Sequence, residues 1–196
     1  MVTAATSHLR RSCWEAIFDE PPGVVAELLG ALARSPRPHW CHLSRCWVAE
    51  VDGVPAGALT AYDPATEGSD ALAAEFAALA ARTGRPEGRT LEKALDRGRV
   101  FRSCAPADYS DSWAVENVAV LPASRGTGVV DVLLGHALDL GRLRGHEHAQ
   151  IMCLHGNERA QRAWERNGFE VRADYRGREF RQLFGSAGLK LLVRAY

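Results

Sequence analysis

The stretch Val115–Leu134, VENVAVLPASRGTGVVDVLL, constrains this chain more than any other. It opens with alternation that puts Glu116, Val118 and Val120 on one face of an expected half-buried strand. Pro122-Ala123-Ser124 ends that strand. Arg125-Gly126-Thr127-Gly128 then runs straight into a helical apolar stripe of Val129, Val130, Leu133 and Leu134. A strand feeding a glycine-rich loop at a helix N-terminus is a generic anion cradle. The first helical N–H groups lack intrahelical acceptors, and the helix dipole adds about half a positive charge there. Gly126 and Gly128 let the backbone come close to a phosphate where a Cβ would obstruct it. Such loops are common, and one alone does not define a ligand.

A second ordered block lies further along the chain. After Arg142-Leu143-Arg144-Gly145 the pattern predicts a strand over Ala149–His155, a turn at Asn157, and a short helix. That helix carries Ala160, Ala163 and Trp164 at helical spacing and is closed by Gly168. Taken together, VxxLPxSRGTGV, the Asn157 turn and AxxAWExNGF resemble the GNAT superfamily, the acyl-CoA-dependent N-acyltransferases. The resemblance covers residues 113–171 well and the rest loosely.

The resemblance implies an α/β fold with a mixed central sheet splayed between its fourth and fifth strands; this chain departs from the simplest family plan by a helical insertion before the fourth. It also implies acetyl-CoA or CoA as co-substrate and no metal. The pyrophosphate would lie on the N–H groups of Gly126, Thr127, Gly128, Val129 and Val130, with Arg125 beside them. The pantetheine arm would run along Val118, Ala119 and Val120 like an added strand. Asn157 and Trp164 would border the same arm. Two positions depart from the family pattern. Val130 stands where glycine or alanine is usual, which crowds the phosphate. Trp164 stands where many members carry a tyrosine that protonates the leaving thiolate, and an indole cannot usefully release its proton.

Attack of an amine on a thioester needs a proton acceptor and a donor for the developing oxyanion. A backbone N–H on the Val118–Val120 strand suits the second task. Glu116 and His155 are the candidates for the first, each set against a plain reading as a solvated strand carboxylate or an edge histidine.

At 196 residues the chain reads as a single domain, 1–196, large enough to bury a core without disulfides or metals. Its 24 basic and 24 acidic residues balance to a net charge of +0, which gives no footprint for nucleic acid or an anionic membrane. The N-terminus lacks a long apolar segment, and five scattered cysteines fit a reduced, cytoplasmic protein. His39, Cys41, His42 and Cys46 cluster, but no second pair at zinc-finger spacing answers them, so they read as buried or half-buried residues.

Taken in order, Trp14–Phe18 and Val24–Leu32 have helical spacing and 34–39 reads as a loop. Cys46–Val51, Asp52-Gly53 and Pro55–Tyr62 form an expected hairpin with a tight turn. Residues 63–112 form the insertion, with helices over Asp70–Arg82 (stripe Leu72, Phe76, Leu79) and Thr90–Arg99. It is either a wall or lid of the acceptor pocket, or a packing decoration or dimer contact. In the tail, Val171–Tyr175 is extended and Gly188–Val193 is open between strand and helix.

Two functions are compatible with these residues. One is an N-acetyltransferase acting on a small-molecule amine or a protein amine, with a homodimer possible. The other is an acyl-CoA-binding protein of the same fold whose catalysis is lost or altered. A P-loop or Rossmann enzyme is disfavoured by the absence of a Gly-Lys-Ser/Thr motif and of an acidic residue after a full G-x-G-x-x-G.

Overall fold

A computed structural model describes residue 9 and residues 11–84 and 88–196. Its centre is an open six-stranded mixed sheet. Strands β1 (Cys46–Val51) and β2 (Val54–Tyr62) form the expected hairpin. Asp52 (φ 52°) and Gly53 (φ 76°) both take the left-handed conformation that a two-residue hairpin turn needs. Strand β3 (Ser112–Val120) runs antiparallel to β2. Helix α6 (Val129–Leu143) then crosses over to β4 (His148–Leu154), which is parallel to β3. The last strand, β6 (Gly188–Ala195), inserts between β4 and β5 (Glu170–Arg176), so the spatial order is β1-β2-β3-β4-β6-β5.

Counted along the described residues, the parallel pair is the third and fourth strands rather than the fourth and fifth. Among the described residues, the segment before the hairpin is helical, as α1 (Cys13–Phe18) and α2 (Pro22–Leu32), and contains no strand. Ser12 closes a capping box with Glu15 at the start of α1, which fixes that helix start locally. The insertion forms α3 (Pro64–Glu67), α4 (Ser69–Thr83) and α5 (Gly88–Ser103). Helix α7 (Glu158–Arg166) follows β4, and α8 (Arg178–Phe184) joins β5 to β6.

The two sheet faces are covered differently. Helix α6 lays Leu133, Leu134 and Ala137 on Leu59, Trp113, Val115 and Ile151, all fully or nearly fully buried. Gly57 on β2 has no room for a side chain, because a Cβ there would lie 2.9 Å from Val129 Cγ1. The helix can therefore start hard against the sheet. On the other face, α5 and α8 pack Phe101 against Phe180 and Phe184, while α1, α2 and α4 gather Phe18, Val25, Leu32 and Leu79. This second layer includes the insertion and is less tightly closed.

Cys13, Cys41, Cys104 and Cys153 are buried thiols outside any disulfide. His39 is fully buried with its Nε2 near the Leu32 carbonyl and Ser35 Oγ, and its Nδ1 accepts from the Cys41 N–H. Its ring is committed to holding the loop between α2 and β1.

Candidate functional site

Strands β3 and β4 pair only over Ser112–Val115 and His148–Ile151. Beyond that point β3 continues to Val120 and β4 to Leu154 without pairing to each other, so the sheet opens there. The cause is a bulge. Asn117 has φ 54°, and the register with β2 slips between Ala58↔Ala119 and Thr60↔Glu116. Asparagine tolerates the left-handed region better than most residues. Its side chain is held in place: Asn117 Nδ2 donates to Thr60 Oγ1 (3.1 Å), and Thr60 Oγ1 donates to the Glu116 carbonyl (3.2 Å).

The bulge corrects the expected strand phase. An extra residue flips the side-chain alternation, so Glu116 does not share a face with Val118 and Val120. Glu116 pairs with Thr60 on the side away from α6, whereas Val118 and Val120 pack against the core that α6 covers.

A cleft of about 1600 Å³ passes through the opening and touches both layers. On its α6 side lie Val118, Ala119 and Val120, half-buried, with the β4-facing backbone edge left unpaired by the splay. Next comes the glycine turn, with Gly126 at φ 84° and Gly128 at φ 87°. Nothing lies within 4 Å of a Cβ built on either glycine, so positive φ and open space, not crowding by protein, call for glycine here. Thr127 Oγ1 donates to the Ser124 carbonyl (2.7 Å) and closes the turn. No side chain caps the N-terminus of α6. Arg125 is exposed at the mouth, its Nε donating to the Val120 carbonyl (3.3 Å).

Val129 is buried, and half-buried Val130 packs partly on the α6 core while bordering the cleft. Across the opening, Asn157 caps α7 by accepting from Ala160 N–H (3.3 Å) and borders the cleft. Trp164 is 5% exposed, borders the cleft, and leaves its indole N–H without a hydrogen-bond partner. Asp131, in the first turn of α6, is bound to Arg166 (3.0 Å) and to Asn167 Nδ2 (2.7 Å), which ties α6 to α7. An uncapped helix start, a glycine turn facing open space and an unpaired strand edge along one cleft together fit a phosphate-bearing ligand with an amide-containing arm, as CoA is.

Glu116 lies on the opposite side of the opening. It is half-buried because it borders the cleft, yet burial pushes its carboxyl up from 4.5 to about 8. The nearby Asp108 carboxylate pushes the same way, and a hydrogen bond from the Asn117 backbone opposes both. Asp108 is itself held at the cleft by Gln150, whose Nε2 donates to it (2.5 Å). Gln150 is buried and accepts through Oε1 from Tyr109 N–H (2.6 Å) and Ser112 Oγ (2.9 Å). Tyr62 is buried beside the carboxylates, and burial followed by the Glu116 charge raises its phenol well above its usual range.

His155 is not brought to this place. It sits one residue past β4 with its Nε2 2.9 Å from Asp174 Oδ1, on the β5 side, and it does not line the cleft. Of the two base candidates, only Glu116 reaches the opening. Asp108, Tyr62 and the bulge at Asn117 are not evident from the sequence. An asparagine directly after Glu116, two polar residues in a row within a mostly apolar strand, is the visible sign of the bulge.

The sequence model of the Acetyltransferase (GNAT) family matches residues 8–169. The chain belongs to this family, whose members are acyltransferases that use acetyl-CoA. Over 69 residues it is 32% identical to streptothricin acetyltransferase of Streptomyces lavendulae; this match covers 35% of the chain and 36% of that protein. Solved structures share the fold across nearly the whole chain. An acetyltransferase crystal structure superposes with a TM-score of 0.65 at 17% identity, covering 93% of this chain and 85% of that one. An N-acetyltransferase from Staphylococcus aureus Mu50 gives 0.61 at 17% identity, covering 89% and 82%. No helix among the described residues is long and apolar enough to cross a membrane.

Proposed function

We propose that the protein transfers an acetyl group from acetyl-CoA to a primary amine by direct attack. The observation that carries this reading is the position of Glu116, a carboxyl with raised pKa at the opening, across from the unpaired edge of β3 and the glycine turn. The turn from Gly126 to Val130, with Arg125, would hold the pyrophosphate, and Val118–Val120 with Asn157 would hold the pantetheine amides. When bound, acetyl-CoA supplies the activated acyl carbon. Glu116 takes a proton from the incoming ammonium, directly or through water, and a backbone N–H at the end of β3 donates to the developing oxyanion. As the new C–N bond forms the C–S bond breaks and CoA leaves as its thiolate, which at an ordinary thiol pKa of ~8.5 departs without a side-chain acid. A carboxyl near 8 is a stronger base than an ordinary glutamate, which suits removal of a proton from an amine.

One observation favours a second reading. Trp164 occupies the position where the family resemblance leads one to expect a tyrosine acid, and its indole N–H is buried without a partner. A protein that binds acyl-CoA with altered chemistry would have this feature. Thiol release from acetyl-CoA, with an amine panel and with wild type beside Glu116→Gln, separates the two. Amine-dependent release that falls sharply in the variant supports acetyl transfer. Binding of CoA with no release for any amine supports the second reading.

A further inference from the structure

The cleft does not stop at Glu116. Beyond the two carboxylates it continues under the α1–α2 layer and along the insertion, and its character changes there. Trp14 stacks on Phe18 (5.8 Å between ring centroids) and on Trp40 (5.5 Å), and Phe18 tilts against Phe76 of α4 (5.6 Å). These four rings line the cleft and form a continuous aromatic wall. On either side of Phe76 along the same face of α4, Ala73 and Ala77 border the cleft but fill little of it. Among the described residues, the charged groups lining this end are Asp108 and Glu116 at the junction and Arg102 on α5. Small residues beside large rings leave a broad apolar chamber rather than a packed core.

We infer that the acceptor is a small-molecule amine whose nitrogen is carried on a bulky apolar body of aromatic size. The inference rests on the acetyl-transfer reading and names its substrate class. The order of groups along the cleft decides it. The nitrogen must sit at the opening, beside the Glu116 carboxyl that takes its proton, and the rest of the molecule then has only the aromatic chamber to occupy. A polyamine or a lysine-bearing peptide would set further charges or backbone polar groups against Trp14, Trp40 and Phe76, where few partners exist for them. A long acyl chain on the donor would have to pass both carboxylates to reach the same space. The insertion is thereby the wall of the acceptor site.

The test compares 4-phenylbutylamine, spermidine and a lysine-containing peptide as acceptors, with acetyl-CoA as donor and CoA release as readout. Binding of 4-phenylbutylamine is followed in parallel through Trp14 and Trp40 fluorescence. Two variants, Ala77→Trp and Ala73→Phe, fill the chamber from an exposed face of α4, and their melting temperatures report folding. The expected result is a kcat/KM for 4-phenylbutylamine at least tenfold above the other two, falling at least tenfold in either folded variant, with the acetyl-CoA thermal shift unchanged. An acetyl-CoA shift with no preference for the apolar amine, or variants that leave that amine's kcat/KM intact, overturns the inference alone. A decanoyl-CoA shift far above that of acetyl-CoA and lost in Ala77→Trp also overturns it, assigning the chamber to the acyl chain. No shift with acetyl-CoA overturns the acetyl-transfer reading, and the inference falls with it.

Discussion

Glu116→Gln separates what this carboxyl does for chemistry from what it costs the fold. The substitution keeps the side chain's size and its polar contacts with the cleft but cannot ionise. In the folded protein the carboxyl moves from 4.5 to about 8, chiefly through burial and secondarily through Asp108. At ~1.36 kcal/mol per decade of acidity, the ionised form is disfavoured by up to about 5 kcal/mol relative to the unfolded chain. The folded pKa lies above the unfolded one, so the favourable linkage is complete below pH 4.5 and lost as pH rises through about 8. Above pH 8 the wild type therefore carries a buried carboxylate that the variant lacks. At ~2–4 °C per kcal/mol for a chain of this size, the upper bound on the gain in melting temperature of Glu116→Gln over wild type at pH 9 is about 10–20 °C, and the two should melt at nearly the same temperature at pH 4.

Activity should move the other way. Loss of a general base costs roughly 10²–10⁴-fold in kcat/KM. The wild-type kcat/KM should rise with pH to a plateau near 8, and that limb should vanish in the variant, leaving only the titration of the amine itself. Differential scanning fluorimetry across pH and steady-state thiol release read the two halves. A melting difference that does not change between pH 4 and pH 9 would refute the reasoning about burial. An unchanged pH profile would remove Glu116 from the mechanism.

Neighbouring residues lead to further expected outcomes. Gln150→Leu removes the hydrogen bonds that hold Tyr109, Ser112 and Asp108, so it should cost about 1–3 kcal/mol in urea unfolding and lower the pH midpoint of activity as Asp108 drifts from Glu116. Asn117→Val puts a β-branched residue at φ 54° and deletes the bond to Thr60; it should destabilise the fold and abolish CoA binding, whereas Asn117→Gly should retain binding. Gly128→Val, at φ 87° beside the start of α6, should weaken CoA binding measured by calorimetry far more than its ~1–2 kcal/mol backbone strain would explain. Trp164→Tyr should raise turnover if thiolate protonation limits the rate, and unchanged turnover would show that no acid is needed at that position.

Local chemistry makes much of this architecture legible. The Asp52-Gly53 turn, the capped start of α1, the glycine turn before α6 and the Ala160–Ala163–Trp164 stripe each depend on residues adjacent in the chain, and each is readable from that spacing. The two longer helices of the insertion are also readable, although α5 runs on to Ser103, whereas the short α3 is not. The phase of β3 is not, because strict alternation assumes an unbroken strand and Asn117 breaks it. His155 illustrates the complementary limit. A residue at a strand end can turn towards either neighbour, and Asp174, which decides the direction, is brought beside it only by the sheet. The insertion of β6 between β4 and β5, and helix α8, likewise depend on long-range pairing that no local pattern encodes. The aromatic chamber is hidden for the same reason: Trp14, Trp40 and Phe76 are far apart in the chain and meet only through packing.

The central claim is that the opening between β3 and β4 is an acyl-CoA site. Thermal unfolding with acetyl-CoA, with CoA and with ATP as a control tests it most directly. At a ligand concentration one hundred times the dissociation constant, linkage gives ~2.7 kcal/mol, which corresponds to roughly 5–10 °C for a domain of this size. The account predicts that shift with acetyl-CoA and CoA and a negligible one with ATP. No shift with either CoA form, or an equal shift with ATP, would contradict it.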